Sequence, residues 1–277
     1  MKIKKINDIK IKPLKFSKIE LPIKGADLFD GLGGLYSNIF LLAKKRSGKS
    51  TVIYNILKNC AGRDTKIYIF CSTVNKDESY KKIMDYLDKK NIYYEAYTAI
   101  SEDNINNLSE IIDELKANQN EGNETIKEET KEEPKKNNLL DFGDKVEEEK
   151  KERKPRKLKY IAPENIFIFD DLGQLLRDPM VEQLLKTNRH YKSKVILSSQ
   201  YLNDLKPASR LNLDYLLIWG GQPEEKLKII HKDIDIATDL NNFLEIYEEA
   251  TSEKYNFLYI DIRAEKYRKN FNEEILL

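Results

Sequence analysis

The chain has 277 residues, and its 48 Lys and Arg residues balance its 47 Asp and Glu residues to a formal net charge of +1. The overall charge neither supports nor excludes binding to nucleic acid, because DNA contacts come from local basic patches. The two cysteines have no metal-ligand spacing and form no disulfide framework. The sequence has neither an apolar signal segment nor a membrane-length apolar run, so we expect a soluble intracellular protein without a membrane partner.

The first part of the chain alternates predicted strands and helices around one polar turn. Residues 1–30 are predicted to form an N-terminal arm, and the part over 1–22, rich in Lys and Ile, is expected either to pack against the domain or to stay partly mobile. Apolar periodicity predicts strands and helices in the rest of this region. The predicted strands are 39–43, 66–73 and 91–97, and the predicted helices are 52–57, 78–89 and 104–115.

Composition changes from about residue 118 to about residue 157, where Glu, Lys, Asn and Pro dominate. Such a segment buries too little apolar surface to offset the entropy of ordering, so we predict a disordered insertion over 118–157. An alternative function for this segment is partner binding, with the apolar island at 139–142 as a short docking motif. Residues 31–117 and 158–277 are then predicted to form one domain.

Regular structure is predicted again from residue 165 onward. Asp178 and Pro179 have the chemistry of a helix start, with an N-cap acid followed by proline in the first turn. The predicted strands are 165–169, 194–200, 215–219 and 257–261, and the predicted helices are 179–190, 223–231 and 239–250. Strands that alternate with helices predict an α/β fold with a mostly parallel sheet and helices on both faces.

The turn after the first strand has the pattern of a phosphate-binding loop, with Ala43 in place of its first glycine. Backbone N–H groups of such a turn and of the following helix converge on one point, and the helix dipole favours an anion there. Lys49 is suited to contact the β- and γ-phosphates and Ser50 to bind Mg²⁺. The candidate nucleotide-binding residues are Ala43, Lys44, Lys45, Arg46, Ser47, Gly48, Lys49, Ser50 and Thr51.

Two further strand ends carry polar residues that we expect near this loop, because ligands gather at the carboxyl edge of a parallel sheet. Asp170 and Asp171 follow four apolar residues, the pattern of a metal-binding acid beside a general base that orients water. The strand over 194–200 ends in Gln200, which is placed to sense the γ-phosphate or to position water.

These motifs together resemble the FtsK/HerA superfamily of P-loop ATPases, and most of all the genome-packaging ATPases of large DNA viruses and virophages. The likeness extends over roughly 38–271 apart from the insertion. The more specific part is the spacing of Asp-Asp-Leu at 170–172, Asn-Arg-His at 188–190 and Ser-Ser-Gln at 198–200. Residues 206–212, 257–261 and 267–271 are also similar to that group.

The resemblance implies a RecA-like (ASCE) P-loop NTPase core with an extra strand between the strands that carry the phosphate loop and the metal acid. It also implies ATP and Mg²⁺, a homo-oligomeric ring of about five or six subunits, double-stranded DNA as substrate and the capsid protein as a partner. The location would be the host cytoplasm, in the viral factory, and the virion. By the same analogy, Asp170 binds the metal with Ser50, Asp171 is the catalytic carboxylate and Gln200 is the sensor.

Either Arg189 or Arg210 is a candidate arginine finger for a neighbouring subunit, and the sequence does not choose between them. The chain departs from many relatives at Ala43 and at Asp171, where a longer Glu is common outside the viral group. Two other functions stay open at this point. One is a single-subunit P-loop enzyme such as a nucleotide kinase, and the other is a nucleotide-regulated assembly factor.

Overall fold

Strands from both sides of the charged insertion join one nine-stranded sheet in the computed structural model, which describes residues 21–129 and 160–276. The strands of this sheet are β1 (Asn38–Leu42), β2 (Lys66–Cys71), β3 (Tyr94–Tyr97), β6 (Asn165–Asp170), β7 (Ser193–Ser199), β8 (Tyr215–Trp219), β9 (Phe257–Asp261), β10 (Lys266–Lys269) and β11 (Glu273–Ile275). A separate two-stranded hairpin consists of β4 (Ser101–Glu102) and β5 (Ile105–Asn106).

The strand order is β11-β10-β9-β8-β1-β7-β6-β2-β3. All pairs from β3 to β8 are parallel, whereas β9, β10 and β11 add an antiparallel extension. The predicted mostly parallel sheet is therefore confirmed. Strand β7 lies between β1 and β6, so the extra strand implied by the resemblance is present.

Helices cover both faces of the sheet, as the sequence predicted. The helices are α1 (Gly31–Leu35), α2 (Lys49–Cys60), α3 (Glu78–Lys90), α4 (Asn107–Glu129), α5 (Pro179–Thr187), α6 (Pro207–Arg210), α7 (Glu224–Asp233) and α8 (Leu240–Ala250). Helices α2 and α3 pack their buried residues with one side of the strands, and α4, α5, α7 and α8 pack with the other. Within the two described ranges, no helix is both long enough and apolar enough to cross a membrane.

Several predicted boundaries shift in the structure. Helix α4 continues to Glu129, so the first part of the segment predicted to be disordered is helical. Extending a helix that is already nucleated costs little, and this stretch contains good helix formers such as Glu, Gln and Lys. Residues 130–157 lie outside the described residues, so the rest of that prediction stays a prediction.

The N-terminal arm is described only from residue 21 onward. Ile23 forms a parallel bridge with Ile161, and Phe29 is buried in the core beside Tyr215. The described part of the predicted arm therefore packs against the domain. Residues 1–20 lie outside the described residues.

The turn of α1 against Phe29 leaves no room for a side chain at Gly34. A Cβ atom there would lie 2.5 Å from both the Cβ atom and the carbonyl oxygen of Phe29. We therefore expect Gly34→Ala to lower the free energy of unfolding by about 1–3 kcal/mol, measured by urea denaturation. Gly33→Ala is the matched control, because a Cβ atom there meets nothing within 4 Å, and it should leave stability unchanged or slightly higher.

Candidate functional site

Three neighbouring strands deliver polar residues to one edge of the sheet. Strand β1 leads into the loop at residues 43–48, β6 ends at Asp170, and β7 between them ends at Ser199. These strands are parallel, so their carboxyl ends meet at the same edge. The convergence predicted from the sequence is present in the structure.

The loop joins β1 to α2, which is the strand–turn–helix order that its sequence predicted. Gly48 has φ +91° at the start of α2, and its carbonyl oxygen accepts a hydrogen bond from the Val52 amide at 3.2 Å. Arg46 also has positive φ, at +62°. Ala43 keeps a negative φ, and its amide donates to the Ser199 carbonyl at 3.1 Å. An alanine is therefore compatible with the first position of this loop.

Lys49, at the start of α2, faces the end of β6. Its Nζ atom lies 2.9 Å from Oδ1 of Asp170. The other carboxylate oxygen, Oδ2, accepts a hydrogen bond of 2.8 Å from the Tyr80 hydroxyl of α3. Burial and the nearby Asp170 charge raise the pKa of Tyr80 well above its usual range, so this hydroxyl stays a donor. The network therefore fixes one oxygen of Asp170 and turns the other toward Lys49.

Asp171 stands in a tight reversal immediately after β6. Its φ is +54°, and the Ser72 hydroxyl donates to its carbonyl oxygen at 3.2 Å. Aspartate tolerates this left-handed conformation better than most residues do. The reversal brings Asp171 into the same cleft as Lys49 and Asp170.

A cleft of about 930 Å³ contains most of the predicted nucleotide-binding residues. Its lining is Lys45, Arg46, Gly48, Lys49, Ser50, Thr51, Val52, Thr73, Lys76, Asp77, Ser79, Asp170, Asp171 and Tyr255. Lys44 lies elsewhere, because its ammonium group donates to the carbonyl oxygen of Gly221. The volume is within the range of about 300–1,000 Å³ that is typical of small-molecule sites.

The end of β7 offers a different polar residue from the one that the sequence favoured. Gln200 is half-buried but does not line the cleft. Ser198 is fully buried and pairs in register with Asp170. Its Oγ atom has no hydrogen-bond partner among the described residues. Ser198 is therefore the β7 residue that lies beside the metal-acid candidate.

The two candidate arginines lie away from the cleft of their own chain. Arg189 makes a 3.1 Å ion pair with Asp214, just before β8, and its side chain is 49% exposed. Arg189 lies before β7 and Asp214 lies before β8, so this ion pair is at the amino edge of the sheet, opposite to Lys49. Arg210 pairs with Asp233 and donates to the Leu205 carbonyl, which leaves it only 10% exposed. Arg189 is thus the more available of the two.

Sequence reasoning missed Tyr80 and Tyr255 as site residues. Tyr80 belongs to the apolar face of α3, where helical spacing indicates core packing alone. Tyr255 lies in an irregular segment before β9, where no motif marks it. The tertiary fold brings Tyr80 to Asp170 and Tyr255 to the wall of the cleft, so no local sequence pattern could have identified either residue.

Comparison with known proteins supports a viral family. The family described as "Poxvirus A32 protein" matches residues 122–265, which is more than half of the chain. The uncharacterized protein 075L of invertebrate iridescent virus 6 is 28% identical over 106 residues. That match covers 37% of this chain and 41% of the viral protein, so the chain spans less than half the length of this relative.

Solved structures support the fold. The genome packaging NTPase B204 from Sulfolobus turreted icosahedral virus 2, in complex with ATP-gammaS, is 17% identical with a TM-score of 0.51. This match covers 85% of our chain and 97% of that chain, and it confirms the P-loop NTPase fold. The cytoplasmic domain of the type VII secretion ATPase EccC from Thermomonospora curvata is 12% identical, over 86% of our chain and 26% of that one. The TM-score of that match is 0.44.

Proposed function

This chain belongs to the poxvirus A32 protein family, and from that premise we propose that it is an ATP-hydrolysing motor that moves double-stranded DNA into a viral capsid. The observation that carries the proposal is the meeting of Lys49, Asp170 and Asp171 in one cleft beside a phosphate-binding loop. B204, which has the same fold, is a genome packaging NTPase. The present chain would act in the cytoplasm of an infected cell, at capsids that are being filled.

The oxygen donors of the cleft suit Mg²⁺. Oδ1 of Asp170 is buried and has no partner among the described residues except Lys49. Ser50 lines the same cleft and supplies a hydroxyl oxygen. Hard cations such as Mg²⁺ prefer carboxylate and hydroxyl oxygens together with phosphate oxygens. Asp170 and Ser50 would hold the ion, which neutralises charge on the phosphates when it is bound.

The remaining residues have separate roles in hydrolysis of ATP to ADP and phosphate. The loop amides and Lys49 bind the phosphates, and they stabilise the charge that develops during the reaction. Asp171 accepts a hydrogen bond from the attacking water and then its proton. Tyr80 keeps Asp170 oriented by its hydrogen bond of 2.8 Å. Gln200 and Ser198, at the end of β7, are candidates for positioning that water.

Among the described residues, no arginine from outside the loop lines the cleft of one chain. Within the described residues, the loop residue Arg46 is the arginine that lines the cleft. We assign the missing charge to Arg189 of a neighbouring subunit in a homo-oligomeric ring. Head-to-tail contacts that close on themselves produce such rings. An arginine supplied by a partner typically contributes about 10³–10⁵ in rate.

This arrangement predicts that ATPase activity depends on assembly. Specific activity should rise with protein concentration and with added double-stranded DNA. Arg189→Ala should be nearly inactive, and mixing it with a Lys49→Ala protein should partly restore turnover. In the mixture, the Lys49→Ala subunit donates its arginine to the intact cleft of the other. The measurement is steady-state phosphate release from each protein alone and from the mixture.

Arg263→Ala is the matched control for this experiment. Arg263 pairs with the same Asp214 carboxylate, at 2.9 Å, and its side chain is 57% exposed. Its removal should therefore disturb Asp214 as much as removal of Arg189 does while leaving turnover intact. Specific activity that is independent of concentration, together with no rescue on mixing, would instead favour a single-subunit enzyme.

A further inference from the structure

The proposed nucleotide cleft is lined by two parts of the chain that follow different strands. One is the loop at residues 43–48 with the start of α2, and the other is the segment between β2 and α3 at residues 72–77, which we call the β2–α3 segment. The cationic side chains that line the cleft are Lys45, Arg46, Lys49 and Lys76. Among the described residues, Lys76 is the only one of these cations that comes from outside the loop and α2.

The strand order places Lys76 beyond the metal-acid candidate as seen from the loop. Along the carboxyl edge of the sheet, β1 with the loop is followed by β7, then by β6 with Asp170, and then by β2. Because the phosphate-loop lysine and the metal acid act on the β- and γ-phosphates, Lys49 and Asp170 mark the γ-phosphate end of a bound nucleotide. The β2–α3 segment is the next element past that end, so Lys76 lies on the γ-phosphate side of the cleft.

Lys76 is exposed and has no competing acidic partner. None of the described carboxylates forms an ion pair with it. The neighbouring Asp77 also lines the cleft, but its carboxylate accepts a hydrogen bond of 2.7 Å from the Ser79 amide as the N-cap of α3. The Lys76 ammonium is therefore available to an anion that enters the cleft.

The backbone that carries Lys76 is anchored beside the candidate general base. The Ser72 hydroxyl donates to the Asp171 carbonyl at 3.2 Å. The Lys76 amide donates to the Thr73 carbonyl at 2.9 Å, and Val74 between them is only 2% exposed and packs in the core. These contacts fix the backbone of Lys76 relative to Asp171, so that only the flexible lysine side chain has to move to meet a phosphate.

We infer that Lys76 is a catalytic residue that binds the γ-phosphate of the nucleotide held by its own chain. This inference rests on the proposed function, since it adds a group to the same cleft. The role differs from that of Arg189, because Lys76 acts within one subunit and Arg189 acts on a neighbour. Slow turnover by an isolated chain then depends on Lys76, and assembly adds the arginine.

The charge of Lys76 acts on the step in which the γ-phosphate is transferred to water. The water oxygen forms a bond to the γ-phosphorus while the bond from that phosphorus to the bridging oxygen of ADP breaks. A proton of the water passes to Asp171, and the electron pair of the broken bond leaves with ADP. Lys76 neutralises charge on the γ-phosphate oxygens from the side opposite to the loop, and Lys49 does so from the loop side.

Two ligands that differ in the γ-phosphate test the contact. Lys76→Ala should weaken binding of the non-hydrolysable ATP analogue AMP-PCP by about tenfold, because one charge-assisted hydrogen bond is lost. Binding of ADP should be unchanged, because ADP lacks the γ-phosphate. Both affinities are measured by titration calorimetry with Mg²⁺, and ATP turnover at saturation should fall by about 10²-fold.

Three further variants serve as controls for the Lys76 charge. Lys76→Arg keeps the charge and should retain most of the affinity and turnover. Lys76→Gln keeps part of the side-chain stem without the charge and should reproduce the Lys76→Ala result. Lys81→Ala should match the wild type, because Lys81 lies exposed on α3 and outside the cleft.

Mixing of subunits separates an action within one chain from an action on a neighbour. Lys76→Ala and Lys49→Ala subunits each carry an intact Arg189 and a defective cleft. A mixture of the two should therefore turn over ATP no faster than the sum of the separate proteins. Restored turnover would mean that Lys76 serves the cleft of a neighbouring subunit, which would overturn the inference.

The remaining outcomes distinguish this inference from the proposed function. If Lys76→Ala retains wild-type turnover, or changes the affinities for ADP and AMP-PCP by the same factor, Lys76 does not bind the γ-phosphate. The inference is then wrong while the phosphate loop stands. If the wild-type protein neither binds AMP-PCP nor hydrolyses ATP, the proposed function itself is wrong.

Discussion

Asp171→Asn should bind ATP with near wild-type affinity and turn it over about 10²–10⁴ times more slowly. The change removes the carboxylate that accepts the proton of water but leaves Asp170 and Lys49 in place. It is also compatible with the backbone, because Asn tolerates the left-handed conformation at φ +54° as well as Asp does. The loss of rate would therefore report chemistry rather than refolding of the turn.

The measurements for Asp171→Asn are steady-state turnover and equilibrium binding of AMP-PCP. Asp239→Asn provides an Asp-to-Asn control outside the cleft. Asp239 caps α8 by accepting hydrogen bonds from the amides of Asn241 and Asn242, and asparagine caps equally well. Turnover of Asp171→Asn within a few-fold of wild type would remove Asp171 from the role of general base.

Lys49→Ala should lose nucleotide binding or hydrolysis while the protein stays folded. Loss of one preorganised group that stabilises transition-state charge typically costs about 10²–10³ in rate, and here a full positive charge is removed. Asp170 would keep its hydrogen bond of 2.8 Å from Tyr80, so its carboxylate is not left without a partner. We therefore expect a native circular dichroism spectrum together with a collapse of phosphate release.

Lys58→Ala controls for loss of a lysine from the same helix, because Lys58 lies exposed in the last turn of α2. It should keep wild-type activity. A folded Lys49→Ala protein with unchanged ATP turnover would be inconsistent with the phosphate-loop assignment.

The core of the site could be predicted from sequence because its signals are local. The loop before α2 needs glycine and lysine at fixed spacing, and β6 needs an apolar run that ends in an acid. The family resemblance implied an extra strand between β1 and β6, and the structure identifies that strand as β7. Tertiary contacts leave no local signal in the sequence. The hydrogen bond from the Tyr80 hydroxyl to Asp170, for example, joins residues that are 90 positions apart in the chain.

The sheet edge and the arginines were harder to predict for related reasons. Strands β10 and β11 are short and rich in charged residues, so alternation of apolar and polar residues does not reveal them. Arg189 and Arg210 are indistinguishable as sequence, yet one is half exposed and the other is enclosed by Asp233 and the Leu205 carbonyl. Burial of a charged side chain depends on its neighbours in space.

The β-bridge between Ile23 and Ile161 marks two places that are suited to tethering the protein to a surface. It joins the start of the first described range, near residue 21, to the start of the second, near residue 160. Both points lie before β6, at the edge of the sheet opposite to the cleft. Six residues of β6 separate the edges by about 20 Å. A fluorophore or an affinity handle joined near residue 21 or residue 160 would leave the nucleotide cleft accessible, so single-molecule measurements on an immobilised chain are practicable.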